Sequence, residues 1–186
     1  MAGIAERADE ALTEAVARLR FDLATDLFTL ASSGWRWSLL AVLAGGLALH
    51  GRRVPAAPLW AGAAALLTMV VTNVLKDAFD RPRPPGSDAD VTALVPVPDS
   101  AAMPSGHAST AFAAAAAVAW FHPRLGVPVF ALAALVALSR VYLGVHWAGD
   151  VLAGAVLGVA IGLAVGWVAG RIFLRRRATA PVAQQT

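Results

Sequence analysis

The chain has 186 residues, of which 58% are hydrophobic and only 15% are charged, and its formal net charge is +3. An ordinary soluble domain carries about 25% charged residues, so this composition excludes that class and favours a protein that resides in a lipid bilayer. Because the chain has no cysteine, a thiolate nucleophile, a disulfide framework and a cysteine-ligated zinc site are also excluded. The positive charge is small and dispersed, so we expect no nucleic-acid partner.

The first predicted element is an N-terminal amphipathic helix. Apolar residues recur at helical spacing from Ile4 to Leu30, and nine charged residues lie between them. So many charges make a membrane-spanning helix costly, whereas the apolar stripe suits a helix that lies at the membrane interface. A helix that packs against the rest of the protein is the alternative. We assign this helix to a separate unit over residues 1–32.

Five apolar segments follow, each close to the roughly 20 residues that a helix needs to cross a bilayer core. Their bounds are Ser33–Leu49, Ala56–Leu75, Ser105–Phe121, Leu125–Leu143 and Val151–Leu174. The third is short at its apolar centre and made mostly of alanine, so we expect it to lie among the other helices rather than against lipid. The predicted fold is an all-α, polytopic transmembrane helix bundle over residues 33–175, with five spans, or six if the N-terminal helix also crosses. A flexible C-terminal tail is expected over residues 176–186.

Arginine residues near the ends of the spans indicate how the bundle is oriented. In the five-span arrangement, one side of the membrane receives Arg52, Arg53, Arg124 and Arg175–Arg177. The positive-inside rule makes that side cytoplasmic. The loop over residues 77–104 and the turn over residues 143–150 then lie on the extracytoplasmic side. A loop as long as 77–104 in a compact bundle is usually functional or disordered.

The last apolar segment carries glycine at every fourth position, and these residues form one face of a helix. The face consists of Gly154, Gly158, Gly162, Gly166 and Gly170. Such a face lets another helix approach closely. The partner is either another helix of the same bundle or a second copy of the chain, which would make a homodimer through the Gly154–Gly170 face.

Three polar clusters are expected to meet on the extracytoplasmic side. They are Lys76–Pro84 at the end of the second span, Pro104–His107 at the start of the third, and Ser139–Asp150 between the fourth and the fifth. Each cluster alone has a structural interpretation, such as a basic side chain that reaches the head groups, a serine that caps a helix, or a histidine–aspartate surface pair. Polar groups at this depth are costly and usually functional, so three clusters at one membrane face indicate a binding site.

The residue types in these clusters suit a tetrahedral oxyanion. Arg83 and Arg140 can each bind phosphate oxygens through two parallel N–H groups, and Lys76 adds a point charge. Ser105 and Gly106 offer a hydroxyl and backbone N–H groups at the start of a helix, where the helix dipole also favours an anion. We therefore predict a phosphate site that uses no cofactor and no metal ion.

Two histidines in the clusters can divide the catalytic work. His146 precedes Asp150 by one helical turn, so the carboxylate can bind one ring nitrogen and leave the other free to attack phosphorus. His107 comes from a different helix and can protonate the leaving oxygen as a general acid. The first step would yield a phosphohistidine, which is hydrolysed by water that His107 activates. His50 and His122 fall in the cytoplasmic turns, so a zinc site built from the four histidines is not expected.

The spacing of the three motifs resembles that of the type 2 phosphatidic acid phosphatase (PAP2) superfamily, whose pattern is K-x6-RP, then PSGH, then SR-x5-H-x3-D. This chain reads Lys76-x6-Arg83-Pro84, Pro104-Ser105-Gly106-His107 and Ser139-Arg140-x5-His146-x3-Asp150. Every motif residue is present. The register selects Arg83 rather than Arg81 as the motif arginine.

The resemblance implies a role for each of these residues. Phosphate binding is implied for Lys76, Arg83, Ser105, Gly106 and Arg140. His107 is implied as the general acid, His146 as the nucleophile and Asp150 as the group that orients the nucleophile. Membrane members of the family usually have six spans, and the first of these would here be the charged segment 4–30.

The predicted function is hydrolysis of a terminal phosphate from a lipid of the bacterial plasma membrane, with the active site on the extracytoplasmic side. Undecaprenyl pyrophosphate or a related polyprenyl phosphate is the favoured substrate, because the chain is small and shows no accessory domain. Decaprenyl lipids are a further possibility, and a polyprenyl-linked sugar phosphate is an alternative. Phosphatidylglycerol phosphate and phosphatidic acid are alternatives. Two other classes of function are a vanadate-dependent oxidoreductase, since the superfamily includes soluble haloperoxidases, and a catalytically silent lipid-binding scaffold.

Overall fold

The computed structural model describes residues 3–33, 57–87 and 90–179, with the backbone alone for residue 57 and residues 173–179. All regular secondary structure in these ranges is helical, which confirms the predicted all-α class. The helices are α1 (Ile4–Arg18), α2 (Asp22–Ser32), α3 (Ala57–Phe79), α4 (Gly106–Phe121), α5 (Gly126–Tyr142) and α6 (Ala148–Thr179), with short 3₁₀ helices at Pro84–Gly86 and Pro123–Leu125. Apart from Ser33, the first predicted span, Ser33–Leu49, lies outside the described residues, and so do residues 180–186 of the predicted tail.

The N-terminal segment folds as two helices, so the prediction of a single helix over residues 4–30 is wrong. At the break between them, polar groups of the chain bind Tyr142 of α5 instead of continuing the helix. The Arg20 guanidinium donates from Nε to the Tyr142 carbonyl oxygen at 3.0 Å, and the backbone N–H of Phe21 donates to the Tyr142 hydroxyl at 2.9 Å. The helical spacing of apolar residues continues across the break, which is why the pattern alone does not reveal it.

Helices α1 and α2 both pack on the bundle, and many of their apolar side chains nevertheless face away from it. Thr13 is fully buried, and its hydroxyl oxygen accepts a hydrogen bond from the backbone N–H of Ala148 at 3.2 Å. Seven apolar residues on the outer side are more than half exposed: Ile4, Leu12, Leu19, Phe21, Leu23, Leu27 and Leu30. The structure thus combines both alternatives from the sequence, because the two helices pack on the protein and also have an apolar face of the kind that lies at a membrane interface.

Three helical segments in the described part of the chain are long and apolar enough to cross a membrane: Pro58–Gly86, Pro123–Tyr142 and Ala148–Ile172. Helix α4, with 16 residues, is shorter and lies in the centre of the bundle, where it contacts α3, α5 and α6. Several of its alanines have no exposed surface, among them Ala108, Ala113 and Ala116. The predicted position of this helix among the others is therefore confirmed, while the count of five spans stays a prediction.

The glycine face of α6 packs against α4 of the same chain. A Cβ atom on Gly154 would lie 2.6 Å from the Ser105 carbonyl oxygen, and one on Gly158 would collide with the Ser109 carbonyl oxygen. The two backbones approach this closely only because side chains are absent here. Packing inside the bundle is therefore the interpretation that the structure supports, and this face is not open to the homodimer. The same contact aligns the starts of the two helices, where the Ser105 N–H donates to the Asp150 carbonyl oxygen at 2.9 Å.

Candidate active site

Four helix ends meet at one end of the bundle and bring the three polar clusters together. Helices α3 and α5 contribute Lys76 and Arg140 from their C-terminal ends, while α4 and α6 contribute residues from their N-terminal ends. His107, in the first turn of α4, interacts electrostatically with Arg140, His146, Lys76 and Arg83. Residues that are far apart in the sequence thus share one polar site.

His146 and Asp150 form the pair that their spacing predicts. The distance from His146 Nδ1 to Asp150 Oδ2 is 3.4 Å, and both side chains are almost completely buried. Because an ionised carboxylate only accepts hydrogen bonds, Nδ1 donates and Nε2 keeps its lone pair. Nε2 lies 3.1 Å from Nη1 of Arg83. The unprotonated nitrogen therefore points into the group of cations.

The turn between α5 and α6 carries His146 and lies outside the spanning segments. Gly144 in this turn has a φ of +72°, and a Cβ atom on it would lie 2.5 Å from the Thr92 carbonyl oxygen. The left-handed conformation and the close approach both require glycine. The loop that precedes α4 thus packs directly on the turn and fixes the position of His146.

Burial lowers the pKa of His146 to about 4. The hydrogen bond with Asp150 opposes this change, while the charges of Arg83 and Arg140 contribute to it. His146 is therefore neutral at physiological pH. This is the form in which a ring nitrogen has a lone pair for nucleophilic attack.

Carbonyl groups of the long loop hold two of the cations in place. Lys76 Nζ donates to the Ser100 hydroxyl at 3.1 Å and to the Ala101 carbonyl oxygen at 2.5 Å. Arg83 donates from Nε to the Ser100 carbonyl oxygen at 2.9 Å and from Nη1 to the Val145 carbonyl oxygen at 2.7 Å. Residues 90–104 therefore have a defined role, because they orient two of the basic side chains of the site.

Two buried polar atoms in the described part of the site have no hydrogen-bond partner: Ser105 Oγ and Arg140 Nε. Ser105 occupies the N-cap position of α4, but its hydroxyl makes no capping bond, so capping does not explain it. Arg140 uses Nη1 to donate to the Ser32 hydroxyl and leaves Nε unpaired. Buried polar groups are nearly always satisfied, so these two indicate a ligand that supplies oxygen atoms.

Gly106 leaves open space beside the start of α4. A Cβ atom on this residue would meet no atom closer than Thr72 Cγ2, at 3.9 Å. Packing among the described residues therefore does not require glycine here. The absence of a side chain instead exposes the backbone next to Ser105 and His107, as an anion-binding helix start requires.

Sequence reasoning missed two residues that bind Asp150 or its turn. Arg81 donates from Nη1 to Asp150 Oδ1 at 2.9 Å and from Nη2 to Asp9 Oδ2 at 2.8 Å. The other oxygen of Asp9 accepts a hydrogen bond from the Gly149 N–H at 2.7 Å. Motif spacing excluded Arg81, and no local pattern links Asp9 to a site more than 70 residues away. Only the tertiary structure reveals this connection.

Within the residues that the structure describes, no group of three or more histidine, aspartate or glutamate side chains is arranged to hold a metal ion. The basic side chains Lys76, Arg83 and Arg140 occupy the region around His146 instead. These cations can bind and neutralise an oxyanion by themselves.

A family model described as the PAP2 superfamily matches residues 57–174 of the chain. The chain is 37% identical over 136 residues to the decaprenylphosphoryl-5-phosphoribose phosphatase of Mycobacterium tuberculosis, and the match covers 72% of this chain and 72% of that protein. It is 34% identical over 110 residues to the lipid A 1-phosphatase of Porphyromonas gingivalis, a match that covers 55% of this chain but only 22% of that protein.

A solved structure shares the fold. The crystal structure of a transmembrane PAP2-type phosphatidylglycerolphosphate phosphatase from Bacillus subtilis matches with a TM-score of 0.72 and 27% sequence identity. The match covers 92% of this chain and 89% of that one. The proteins in these comparisons are all named as phosphatases, and the lipids in their names differ.

Proposed function

This chain belongs to the PAP2 superfamily and is a membrane phosphatase, and we propose that it removes a terminal phosphate from a membrane lipid through a phosphohistidine on His146. The observation that carries this proposal is the position of the His146 ring. Asp150 binds Nδ1, and Nε2 faces Arg83 in a buried site that also contains two unpartnered polar atoms. A phosphoryl group placed there would meet the lone pair and the donors together.

The charge balance of the site supports an anionic ligand. Among the described residues, Lys76, Arg83 and Arg140 form no ion pair with a carboxylate, and the groups they bind are hydroxyls, carbonyls and the His146 ring. All three side chains are buried, with 5–7% of their surface exposed. Burying charges that lack a counter-ion is costly. A phosphate with two negative charges would relieve that cost, and its oxygens would satisfy Ser105 Oγ and Arg140 Nε.

The reaction follows in two displacements. Nε2 of His146 attacks phosphorus as the bond between phosphorus and the lipid oxygen breaks, and His107 donates a proton to that leaving oxygen. After this transfer His107 takes a proton from water, and the resulting hydroxide attacks the phosphohistidine. The P–N bond breaks, its electron pair returns to Nε2, and inorganic phosphate leaves. Asp150 keeps the Nδ1 proton in place, and Lys76 and the two arginines stabilise the charge on the transferring group.

We propose a polyprenyl-linked phosphate as the lipid. The M. tuberculosis relative, which is matched over 72% of both chains, carries such a lipid in its name. Undecaprenyl pyrophosphate, a polyprenyl lipid with a pyrophosphate, falls in the same class. Phosphatidylglycerol phosphate is the second candidate, because the B. subtilis structure shares the fold over most of both chains.

The active site is proposed to face the outside of a bacterial plasma membrane. Helices α4 and α6 begin at the site, so Arg124 and Arg171 lie at the opposite end of the bundle, where the positive-inside rule places the cytoplasm. The chain has no cysteine, which allows single reporters at Val97 and Leu125. In intact cells, Val97→Cys should react with an impermeant maleimide and Leu125→Cys should not. The opposite pattern would place the site on the cytoplasmic side.

The function is tested with purified protein in proteoliposomes that contain one lipid phosphate at a time. The panel comprises a polyprenyl-linked sugar phosphate, undecaprenyl pyrophosphate, phosphatidylglycerol phosphate and phosphatidic acid, with phosphate release as the measurement. Release from a polyprenyl lipid at the highest kcat/KM is expected. If phosphate is released from none of the four lipids, the proposal of a lipid phosphatase is overturned. Oxidation of halide by the protein in the presence of vanadate would then favour the oxidoreductase.

A further inference from the structure

The Asp150 carboxylate has more partners than the catalytic pair requires. Its Oδ2 atom lies 3.4 Å from His146 Nδ1 and accepts a hydrogen bond from the Trp147 N–H at 2.9 Å. Its Oδ1 atom accepts from Arg81 Nη1. With both oxygens held, the carboxylate cannot rotate, and Oδ2 stays directed at the imidazole. Arg81 is thus the partner of Oδ1 among the described residues.

Arg81 is itself held at three points. Its second terminal nitrogen binds Asp9 of α1, and its guanidinium lies over the Trp147 ring, 5.2 Å from the centroid. Asp9 also binds the Gly149 N–H, one residue before Asp150. A Cβ atom on Gly149 would lie 2.7 Å from Asp9 Oδ2, so the glycine allows this approach. One carboxylate from the N-terminal helix thus fixes both Arg81 and the backbone next to Asp150.

We propose that Arg81 and Asp9 are positioning residues that hold Asp150, and through it His146, in the orientation for attack. The inference rests on the proposed role of His146 as the nucleophile. It makes α1 a functional part of the site, although α1 lies outside the three catalytic motifs and outside residues 57–174 that match the family.

A direct role of Arg81 in phosphate binding fits the geometry less well. Both terminal nitrogens of its guanidinium are engaged by carboxylates, those of Asp150 and Asp9. Arg83 and Arg140, by contrast, have no carboxylate partner among the described residues. Asp150 has no exposed surface, and a buried carboxylate that loses its cation is strongly destabilised in its charged form. Loss of Arg81 should therefore act on Asp150 rather than on the substrate.

The test compares Arg81→Gln and Asp9→Asn with two matched controls elsewhere in α1, Arg18→Gln and Glu14→Gln. Arg18 and Glu14 form an ion pair with a separation of 3.5 Å, and their side chains are 80% and 29% exposed. At metal sites, loss of a residue that orients a ligand typically costs about 10- to 100-fold in activity, and the same range is taken for a residue that orients a nucleophile through its carboxylate. We expect a loss of that size in kcat for Arg81→Gln and a smaller loss for Asp9→Asn, with KM unchanged and both controls equal to the parent.

Two further variants separate positioning from a general effect on folding. Arg81→Lys keeps the charge but has no planar fork to join two carboxylates, so its kcat should lie between those of the parent and Arg81→Gln. In an Asp150→Asn background, Arg81→Gln should cause little further loss, because both residues act through one group. An equal loss of kcat in both backgrounds, or a rise in KM alone, would overturn the proposal.

A readout that does not depend on turnover is the ¹⁵N NMR spectrum of the histidine rings, with His146 assigned through His146→Gln. The parent should show His146 protonated at Nδ1, and Arg81→Gln and Asp9→Asn should each change that signal. If His146→Ala retains activity, the proposed function fails, and the ¹⁵N signals still decide whether Arg81 orients the ring. If His146→Ala is inactive while Arg81→Gln matches the parent in kcat and in its His146 signals, only this inference fails.

Discussion

Two regions along the contact between α4 and α6 are built by opposite means. In the middle of the contact, glycines of α6 meet backbone carbonyls of α4, and the absence of side chains sets the distance between the helices. At the end where both helices start lies the polar site, in which Arg81 and Arg83 are each held at two or more points by hydrogen bonds. The first region fixes where the helix starts lie, and the second fixes how single groups are oriented. Substitutions in the glycine region should therefore lower the stability of the protein, whereas substitutions in the polar region should lower the rate of the reaction.

The largest effect is expected in the polar region, from removal of the nucleophile. His146→Ala should lower turnover by about 10⁴-fold or more, as loss of the nucleophile does in other covalent enzymes, while the protein still inserts and folds. Phosphate release and trapping of a phosphohistidine measure the effect. His122→Ala, at the opposite end of α4, serves as the control. Activity of His146→Ala within about tenfold of the parent would reject the nucleophilic role.

A second substitution in the polar region should have an effect that depends on the leaving group. A lipid alkoxide is a poor leaving group and needs a proton, whereas p-nitrophenolate leaves without one. His107→Ala should slow formation of the intermediate from a lipid monophosphate by roughly 10²- to 10⁴-fold and from p-nitrophenyl phosphate far less. A pyrophosphate substrate should fall between these two.

The measurement must isolate the first step, because hydrolysis of the phosphohistidine also requires a base. A rapid-quench burst experiment does this by following the intermediate before it turns over. Equal losses for the three substrates would mean that His107 only helps to bind phosphate.

The glycine contact should respond through stability. Gly158→Ala places a methyl group against the Ser109 carbonyl oxygen, and overpacking of this kind typically costs about 1–3 kcal/mol in the free energy of unfolding. On Gly170, in the same helix, a Cβ atom would lie 3.5 Å from Trp120 Nε1, an ordinary contact, so Gly170→Ala should be close to neutral. Thermal unfolding in detergent measures the difference. Equal unfolding temperatures for the two variants would contradict the close helix contact.

The smallest effect is expected from removal of metal ions. Because Lys76, Arg83 and Arg140 supply the positive charge, hydrolysis should continue unchanged in excess EDTA. Vanadate should inhibit, since its trigonal-bipyramidal adduct resembles the transferring phosphoryl group. Loss of activity in EDTA that magnesium restores would show that a metal ion shares the work of the basic side chains.

The two regions also differ in how much of each can be predicted from the sequence. The motif residues were predicted to converge because Lys76, Ser105 and His146 each lie at or beside a helix end, and antiparallel helices with short connections bring alternate ends together. The glycine repeat indicated a close contact but not its partner, since spacing does not distinguish a neighbouring helix from a second chain. Only the structure shows that the partner is α4 of the same chain.

Two other features, the bond between Arg81 and Asp9 and the break after α1, cannot be predicted from any local sequence pattern. Arg81 lies two residues from the motif arginine, and its partner Asp9 is 72 residues away in the sequence, so their bond depends on how α1 packs on the bundle. The break after α1 has the same origin. Apolar periodicity continues through it, and the groups that stabilise the break belong to Tyr142 of α5. Long-range polar contacts of this kind follow from the tertiary fold rather than from neighbouring residues.

The length of α4 has a consequence for how the protein is made. With 16 residues and a rise of about 1.5 Å per residue, it extends over roughly 24 Å, less than the roughly 30 Å of a bilayer core. At that length it falls short of the roughly 20 residues that a helix needs to cross a bilayer core by itself. Its entry into the membrane therefore depends on α3 before it and on α5 after it, with which it shares the turn at Pro123–Leu125. A nascent chain that ends before α5 should have neither a stable fourth helix nor a working site, which ties the appearance of hydrolytic activity to completion of synthesis.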